Sequence, residues 1–267
     1  MAATIHPTAI VEEGARLGEG VLVGPFCHVG PHVEIGVGAR LHAHVVVTGR
    51  TMIGEGAEVF PFAVIGGPSQ DLKAELAEGD LTIGAGCQAR EHVTINSGIG
   101  PGTRIGERCV FLAGAHVAHD CRLGDGVVLS NQVLLGGHVE IDDGVMIGGG
   151  TAVHQFVRIG AFAFVGGLSG VEGDVIPFAL ASGNRAHLFG LNLVGLRRRG
   201  FDPERIARLS AVYRQLFDTD KDQVLSERIN RLALSKTDNA DIALILNFLR
   251  TPSQRPLCAP RSRGSVA

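Results

Sequence analysis

The chain has 267 residues and a formal net charge of −3; 45% of it is hydrophobic and 19% charged, a balance that places it among soluble globular proteins of one or two domains. The slight negative charge argues against a nucleic-acid protein, and no apolar run approaches the roughly 18 residues of a membrane span. The start, Met1 to Pro7, lacks the basic and apolar pattern of a secretory leader, so a cytoplasmic protein is expected.

From the N-terminus an aliphatic residue recurs at every sixth position: Val11, Leu17, Val23, Val29, Ile35 and onward to Ile65. The column reappears as Ile83, Ala89 and Ile95, then runs from Ile105 and Phe111 to Val171. An α-helix cannot keep a six-residue period on one face, because 3.6 residues per turn carries successive sixth residues to different sides. A six-residue step that turns a corner can, and three such steps close a triangular coil of about eighteen residues. With the aliphatic residue counted as third, the fourth position is repeatedly glycine (Gly18, Gly24, Gly36, Gly54). Glycine there is expected to supply positive φ at the corner. First positions are small or aliphatic and share the inward face with the third. Stacked coils pair at about 4.8 Å, which predicts a parallel β-helix over residues 1–180 whose stability is a sum over neighbouring coils.

Two interruptions break the period, Ser69–Asp80 and Gly98–Gly102, and insertions in a solenoid emerge as loops that serve binding. Cys27, Cys87, Cys109 and Cys121 occupy first positions without any Cys-x-x-Cys; they read as small apolar residues, neither disulfides nor metal ligands. His116, His119, His138 and His154 fall near one edge of successive coils, each step roughly 5 Å. Such an edge suits a neutral imidazole base near pH 7, and Asp120 follows His119 directly. Neighbours on an extended strand point opposite ways, so this pair must meet at a corner or across a subunit boundary. A zinc site would need ligands converging within about 2.1 Å of one point, which a vertical ladder does not offer; no metal is expected.

The hexads end near Ile176-Pro177, and Ala181–Arg185 reads as a linker. Residues 181–250 are expected to form a small helical region: Pro203 to about Leu216 with Asp202 as N-cap, then Asp222–Leu234 and Asp238–Leu249, each with an apolar stripe at helical spacing. Residues 251–267, rich in Pro, Arg and Ser, read as a flexible tail.

Four motifs in chain order, Gln70-Asp71-Leu72-Lys73, Ala115 to Cys121, Ala152 to Phe156, and Gly190 to Phe201, resemble the bacterial UDP-N-acetylglucosamine acyltransferase family that opens lipid A synthesis. The likeness covers nearly the whole chain. It implies a left-handed parallel β-helix of hexapeptide repeats followed by a small C-terminal α-helical region, assembled as a homotrimer with sites between subunits. It also implies transfer of a 3-hydroxyacyl chain from acyl carrier protein to the 3-position of a UDP-sugar, with no cofactor beyond the carrier's own phosphopantetheine. On that likeness His119 is the general base, Asp120 orients it and the Gly137 N–H stabilises the oxyanion. Gln70, Asp71 and Lys73 contact the sugar or the acyl group, while His116, His138, His154 and Gln155 line the cleft. Asn192, Arg198 and Arg199 hold the nucleotide and its diphosphate, and Gly167 leaves room for a long acyl chain.

Two departures stand out. Val194 replaces a usual glutamate near the nucleotide, and Asn96-Ser97-Gly98 replaces a usual His-Arg-Gly before a shortened loop. Other readings of the same residues are the N-acyltransferase acting later in the same pathway, a metal-dependent hydratase of the carbonic-anhydrase-like type, and a non-catalytic scaffold. The residues leave open whether the acceptor is a 3-hydroxyl or a 3-amino sugar.

Overall fold

A computed structural model describes residues 2–72, 79–217, 224–234 and 239–260. Short strands, most of two residues, alternate with corners and stack into three sheets of eleven, nine and eight strands among the described residues, parallel except for the last strand of the first. The sheets begin at Thr4–Ile5, Ile10–Val11 and Arg16–Leu17. Thr4 pairs with Leu22 and Leu22 with Arg40, so each coil advances by eighteen residues. The same sheet then steps from Glu58 to Gln88 and from Gln88 to Val110. These longer strides are the two insertions expelled as loops while the ladder above and below stays in register.

The third position points inward on every coil. Val29, Val47, Ile65 and Ile95 are fully buried, as are the first-position Val21, Val33 and Ala39. The four first-position cysteines are buried and unpaired; the Cys121 thiol, which donates to Gly136 O at 3.2 Å, is pushed up to about 12 by burial and behaves as an inert small side chain.

The corners correct the expectation for glycine. Positive φ falls at the sixth position, on Phe26, His44, Phe62, Asp120 and His138 among others, with values between 57° and 64°. Fourth-position glycines such as Gly36 and Gly54 are instead required by close approach of the next coil, although Gly66 does hold φ 79°. A Cβ on Gly36 would stand 2.6 Å from Glu55 N, and one on Gly54 would stand 2.5 Å from Ala85 N. The left-handed position therefore accepts large side chains, provided that they project from the edge, and this allows functional residues to occupy it.

Outward faces differ. The third sheet presents Arg16, Glu34, Arg104, Arg122, Glu140 and Arg158, whereas the upper first sheet presents Val110, Val128, Met146, Phe164 and Leu180.

Above the coils, Ala181–Arg185 is no linker: Ala181 and Ser182 end one strand and residues 183–186 form the turn of an antiparallel hairpin, Ala179–Ser182 with His187–Leu191, that extends the first sheet. Four helices follow among the described residues: α1 (Leu193–Arg198), α2 (Pro203–Phe217), α3 (Leu225–Leu234) and α4 (Ala240–Arg250). Asp222 and Asp238, the expected starts of the last two, lie outside the described residues. The short α1 carries no helical period of its own and was not foreseen. Asp202 Oδ1 accepts the Arg205 N–H at 2.7 Å at the head of α2, and Arg205 grips Asp241 of α4 through two bonds of 2.7 Å. Phe178, Leu196, Phe201, Leu209 and Ile245 form this region's own core. Residues 251–260, expected to be loose, are instead bonded to the top coil. Asp174 N–H donates to Pro256 O at 2.8 Å, Cys258 N–H donates to Asp174 O at 2.8 Å, and Cys258 is buried.

Phe111 fills the third position between Ala89 and Leu129 and is 1% exposed. Phe111→Ala should cost about 3–5 kcal/mol, read as a lowered urea midpoint with little change in slope.

Candidate active site

His119 and Asp120 take the fifth and sixth positions of the corner between strands His116–Val117 and Arg122–Leu123. On a strand they would diverge; the corner, with Asp120 at φ 57°, folds them together. His119 Nδ1 lies 2.9 Å from Asp120 Oδ2. The next coil places Gly137 and His138 on the same edge, and the one above places Gln155 and Phe156 there. His138 N–H donates to His119 O, and Phe156 N–H donates to Gly137 O, both at 3.0 Å. The His138 ring meets His119 edge-on at 5.1 Å and is backed by Phe156, stacked at 4.7 Å.

The His119 ring lies directly over Gly137. A Cβ at 137 would fall 2.5 Å from Nε2, so only glycine permits this placement. The ring is 12% exposed, neither sealed inside the coil nor loose in water. The Gly137 N–H makes no hydrogen bond among the described residues, which leaves a donor unspent beside Nε2.

Asp120 is held from the other side by the Gly98–Gly102 excursion. Its Oδ1 accepts N–H groups of Ile99, Gly100 and Gly102 at 3.2, 3.1 and 3.1 Å, and Oδ2 accepts Ile99 N–H at 3.0 Å. Burial alone would push this carboxyl up, but the donors from Ile99, His119, Gly100 and Gly102 outweigh it and hold the group below its usual range. Sequence reasoning marks this segment as a loop; its glycines are the available signal, yet the inward direction of its N–H groups depends on the fold.

A cavity of about 590 Å³ opens beside the edge, lined by Gln70, Asp71, His116, His119, Leu134 and Gln155 among others. It brings together five of the expected residues, while Lys73 lies outside the described residues. His116 projects from the second sheet, bonds Thr94 Oγ1 through Nδ1 at 2.7 Å, and is pushed down by burial, hence neutral at pH 7. His154 sits higher on the edge, where the Arg255 guanidinium reaches its ring and donates Nε–H to Gln155 O at 2.8 Å. Sequence reasoning missed Arg255, because nothing in a Pro/Arg/Ser-rich tail indicates that it folds back.

The remaining expected residues stand elsewhere on this chain. Asn192, Val194, Arg198 and Arg199 line a separate, largely apolar cavity of about 800 Å³ over the first sheet, with Met146, Phe164 and Phe189. Asn192 caps α1: its Oδ1 accepts Gly195 N–H at 3.0 Å and its Nδ2 donates to Phe162 O at 3.1 Å. Arg199 donates to Gly144 O at 2.6 Å and lies over the Phe162 ring. Arg198 is exposed, and its side chain makes no hydrogen bond or ion pair among the described residues. Gly167 occupies the first-to-second-sheet corner, a Cβ there meeting Gly149 O at 3.1 Å.

His119, Asp120 and His138 offer ligand atoms within 4.8 Å of one another. The Asp120 oxygens, however, already accept backbone N–H groups and the His119 ring, so the carboxylate has little left to give a cation.

A parallel β-helix of hexads with a histidine–aspartate pair on a cleft edge defines a hexapeptide-repeat transferase, and residues 14–49 and 102–137 match the family of bacterial transferase hexapeptide repeats. Residues 174–258 match the second domain of UDP-N-acetylglucosamine O-acyltransferases. The acyl-(acyl-carrier-protein)–UDP-N-acetylglucosamine O-acyltransferase of Rhizobium johnstonii is 48% identical over 98% of this chain and 96% of its own length. That of Azorhizobium caulinodans is 48% identical over 99% and 98%. The solved UDP-N-acetylglucosamine acyltransferase from Campylobacter jejuni superposes with a TM-score of 0.90 at 37% identity, covering 97% of this chain and 100% of that one. The chain belongs to the UDP-N-acetylglucosamine O-acyltransferase family. No helix among the described residues is long and apolar enough to cross a membrane.

The lowered Asp120 carboxyl makes a pH-dependent prediction. Its contribution is present above the unfolded value, about 4, and is lost as pH falls through the folded value. Asp120→Asn should therefore cost about 2–3 kcal/mol near neutrality, with the gap to wild type closing below about pH 4, as measured by urea titrations across pH.

Proposed function

We propose that this protein transfers a 3-hydroxyacyl chain from acyl carrier protein to the 3-hydroxyl of UDP-N-acetylglucosamine, the first step of lipid A synthesis. The observation that carries the reading is the His119 ring, bonded at Nδ1 to a fixed carboxylate and laid over Gly137 beside an open cleft. Asp120 accepts a hydrogen bond from Nδ1–H, so the Nε2 lone pair is free to take the proton of the sugar hydroxyl. The sugar oxygen attacks the thioester carbonyl, forming a C–O bond. The carbonyl oxygen gains charge that the unspent Gly137 N–H stabilises. Collapse breaks the C–S bond, and the imidazolium returns its proton to the leaving phosphopantetheine thiolate. The chemistry calls for no resident cofactor or metal. The relatives' printed names, O-acyltransferases, support a hydroxyl acceptor over an amine.

Gln70, Asp71, His116, His138, His154 and Gln155 form the sugar side of the cleft in this reading. Asn192, Arg198 and Arg199 form a nucleotide side, where the fork of Arg198 suits diphosphate oxygens. The two sides lie on different faces of one chain, so the reading needs a neighbouring copy. The apolar stripe on the first sheet and Ile10, Val64 and Leu134 on the second, set against a charged third sheet, support a homotrimer in which two faces of each chain are covered. Val194, 60% exposed, leaves the nucleotide side without a carboxylate.

Incubation with UDP-N-acetylglucosamine, its 3-amino analogue and a panel of carrier-protein thioesters, followed by mass analysis, should yield one 3-O-acyl product. Product on the amine alone, or none at all, would contradict the reading. His119→Ala should lose at least about 10³-fold in rate while sedimenting as the wild-type trimer; a retained rate removes it as the base.

Gly167 lies at the corner opposite His119 across the second sheet, where added bulk would enter an acyl path running between them. Gly167→Met should shift the preferred donor to a shorter chain at similar kcat, and an unchanged donor profile would reassign Gly167 to corner geometry.

A further inference from the structure

Asp120 does not orient His119 unaided. The backbone of the Gly98–Gly102 excursion turns three N–H groups inward onto its carboxylate, Ile99 and Gly100 within the loop and Gly102 at its exit. Oδ1 takes three of the bonds, which leaves Oδ2 with Ile99 and the His119 ring alone. The Asp120 N–H is tied to Thr103 Oγ1 at 2.9 Å, directly after the loop. The carboxylate is thus clamped on its main-chain side and on one oxygen, with the other aimed at Nδ1.

The loop has no room for another arrangement. A Cβ on Gly98 would fall 2.5 Å from Asp120 Oδ1 and 2.4 Å from Gly102 Cα. Gly102 holds φ 87°, and a Cβ there would press on Asp80 O at 3.1 Å. Gly98 N–H donates to Asp80 O at 3.1 Å, and Ser97 N–H donates to Gly67 O at 2.9 Å, so the loop is fastened to both ends of the larger insertion that carries Gln70 and Asp71. With its N–H groups turned inward, this segment offers them to the protein's own carboxylate and not to a substrate.

We propose that the 98–102 loop is a positioning device for the base, a backbone nest that rotates the Asp120 carboxylate so that Oδ2 meets His119 Nδ1 and fixes which ring nitrogen carries the proton. A nest of successive N–H groups is a recognised anion holder; here the anion is internal. The proposal rests on His119 being the base, and its test reads the ring itself so that the two can fail separately. Burying Asp120 for stability alone would require neither a single His119 tautomer nor any effect on the pH dependence of transfer.

Nitrogen-15 spectra of the full-length wild type, assigned with a His119→Gln control, should show His119 as the Nδ1–H tautomer above its own pKa. An Nε2–H tautomer or an even mixture would overturn the proposal, whatever the activity. In Gly98→Ala, checked for an unchanged circular dichroism spectrum and sedimentation, His119 should become a tautomer mixture. The acid limb of the kcat/KM pH profile should no longer coincide with the wild type's, and kcat should fall at least about tenfold with KM for the UDP-sugar little changed. A folded Gly98→Ala protein with the wild-type ring signature and acid limb would equally overturn it. If Gly98→Ala does not fold, the wild-type tautomer and Thr103→Val, which removes the hydroxyl holding the Asp120 N–H, decide the matter by the same two readouts.

Discussion

Everything in this molecule depends on one register. Because each coil advances by eighteen residues and the third position always turns inward, a residue's place in the hexad fixes both its sheet and its direction. A slip of one residue would carry the apolar column to the surface on every coil above it. The two insertions respect this constraint: they leave and rejoin the ladder without altering the inward phase. Their contents are therefore free to serve the cleft, since the core asks nothing of them.

The same register explains how one cleft edge gathers residues far apart in the chain. His119, Gly137 and Gln155 share the fifth position of one corner on consecutive coils, as Asp120, His138 and Phe156 share the sixth. Corners are where backbone N–H groups of the fifth position stay unpaired by the ladder, and where side chains escape both the interior and the flat sheet faces. A free donor beside an imidazole is thus a property of the corner itself, sharpened at Gly137 by the absence of a side chain under the His119 ring.

The fold was legible because the inward column leaves a six-residue mark that no helix or plain strand can imitate, and both insertions showed as breaks in it. Glycine at the fourth position was seen but misread. Its cause is the approach of the next coil, a contact eighteen or more residues away, while the left-handed corner residue next to it can be Phe, His or Asp. The histidine edge was visible as spacing, but the carboxylate nest was not, because a run of glycines does not say which way its N–H groups point. Arg255 and the folded-back tail were invisible for a similar reason: their partners are Gln155 and Asp174, far upstream in the chain.

The proposed reaction divides its machinery between a base-bearing corner and an arginine-bearing groove on another face of the chain, so its central claim is that two copies complete one site. The direct measurement is complementation between differently tagged His119→Ala and Arg198→Ala chains, each much slower than wild type on its own. In a cyclic trimer carrying both tags, one boundary in three joins an intact corner to an intact groove, so the hybrid should recover about a third of the wild-type rate. Hybrids no faster than their two parents would contradict the account.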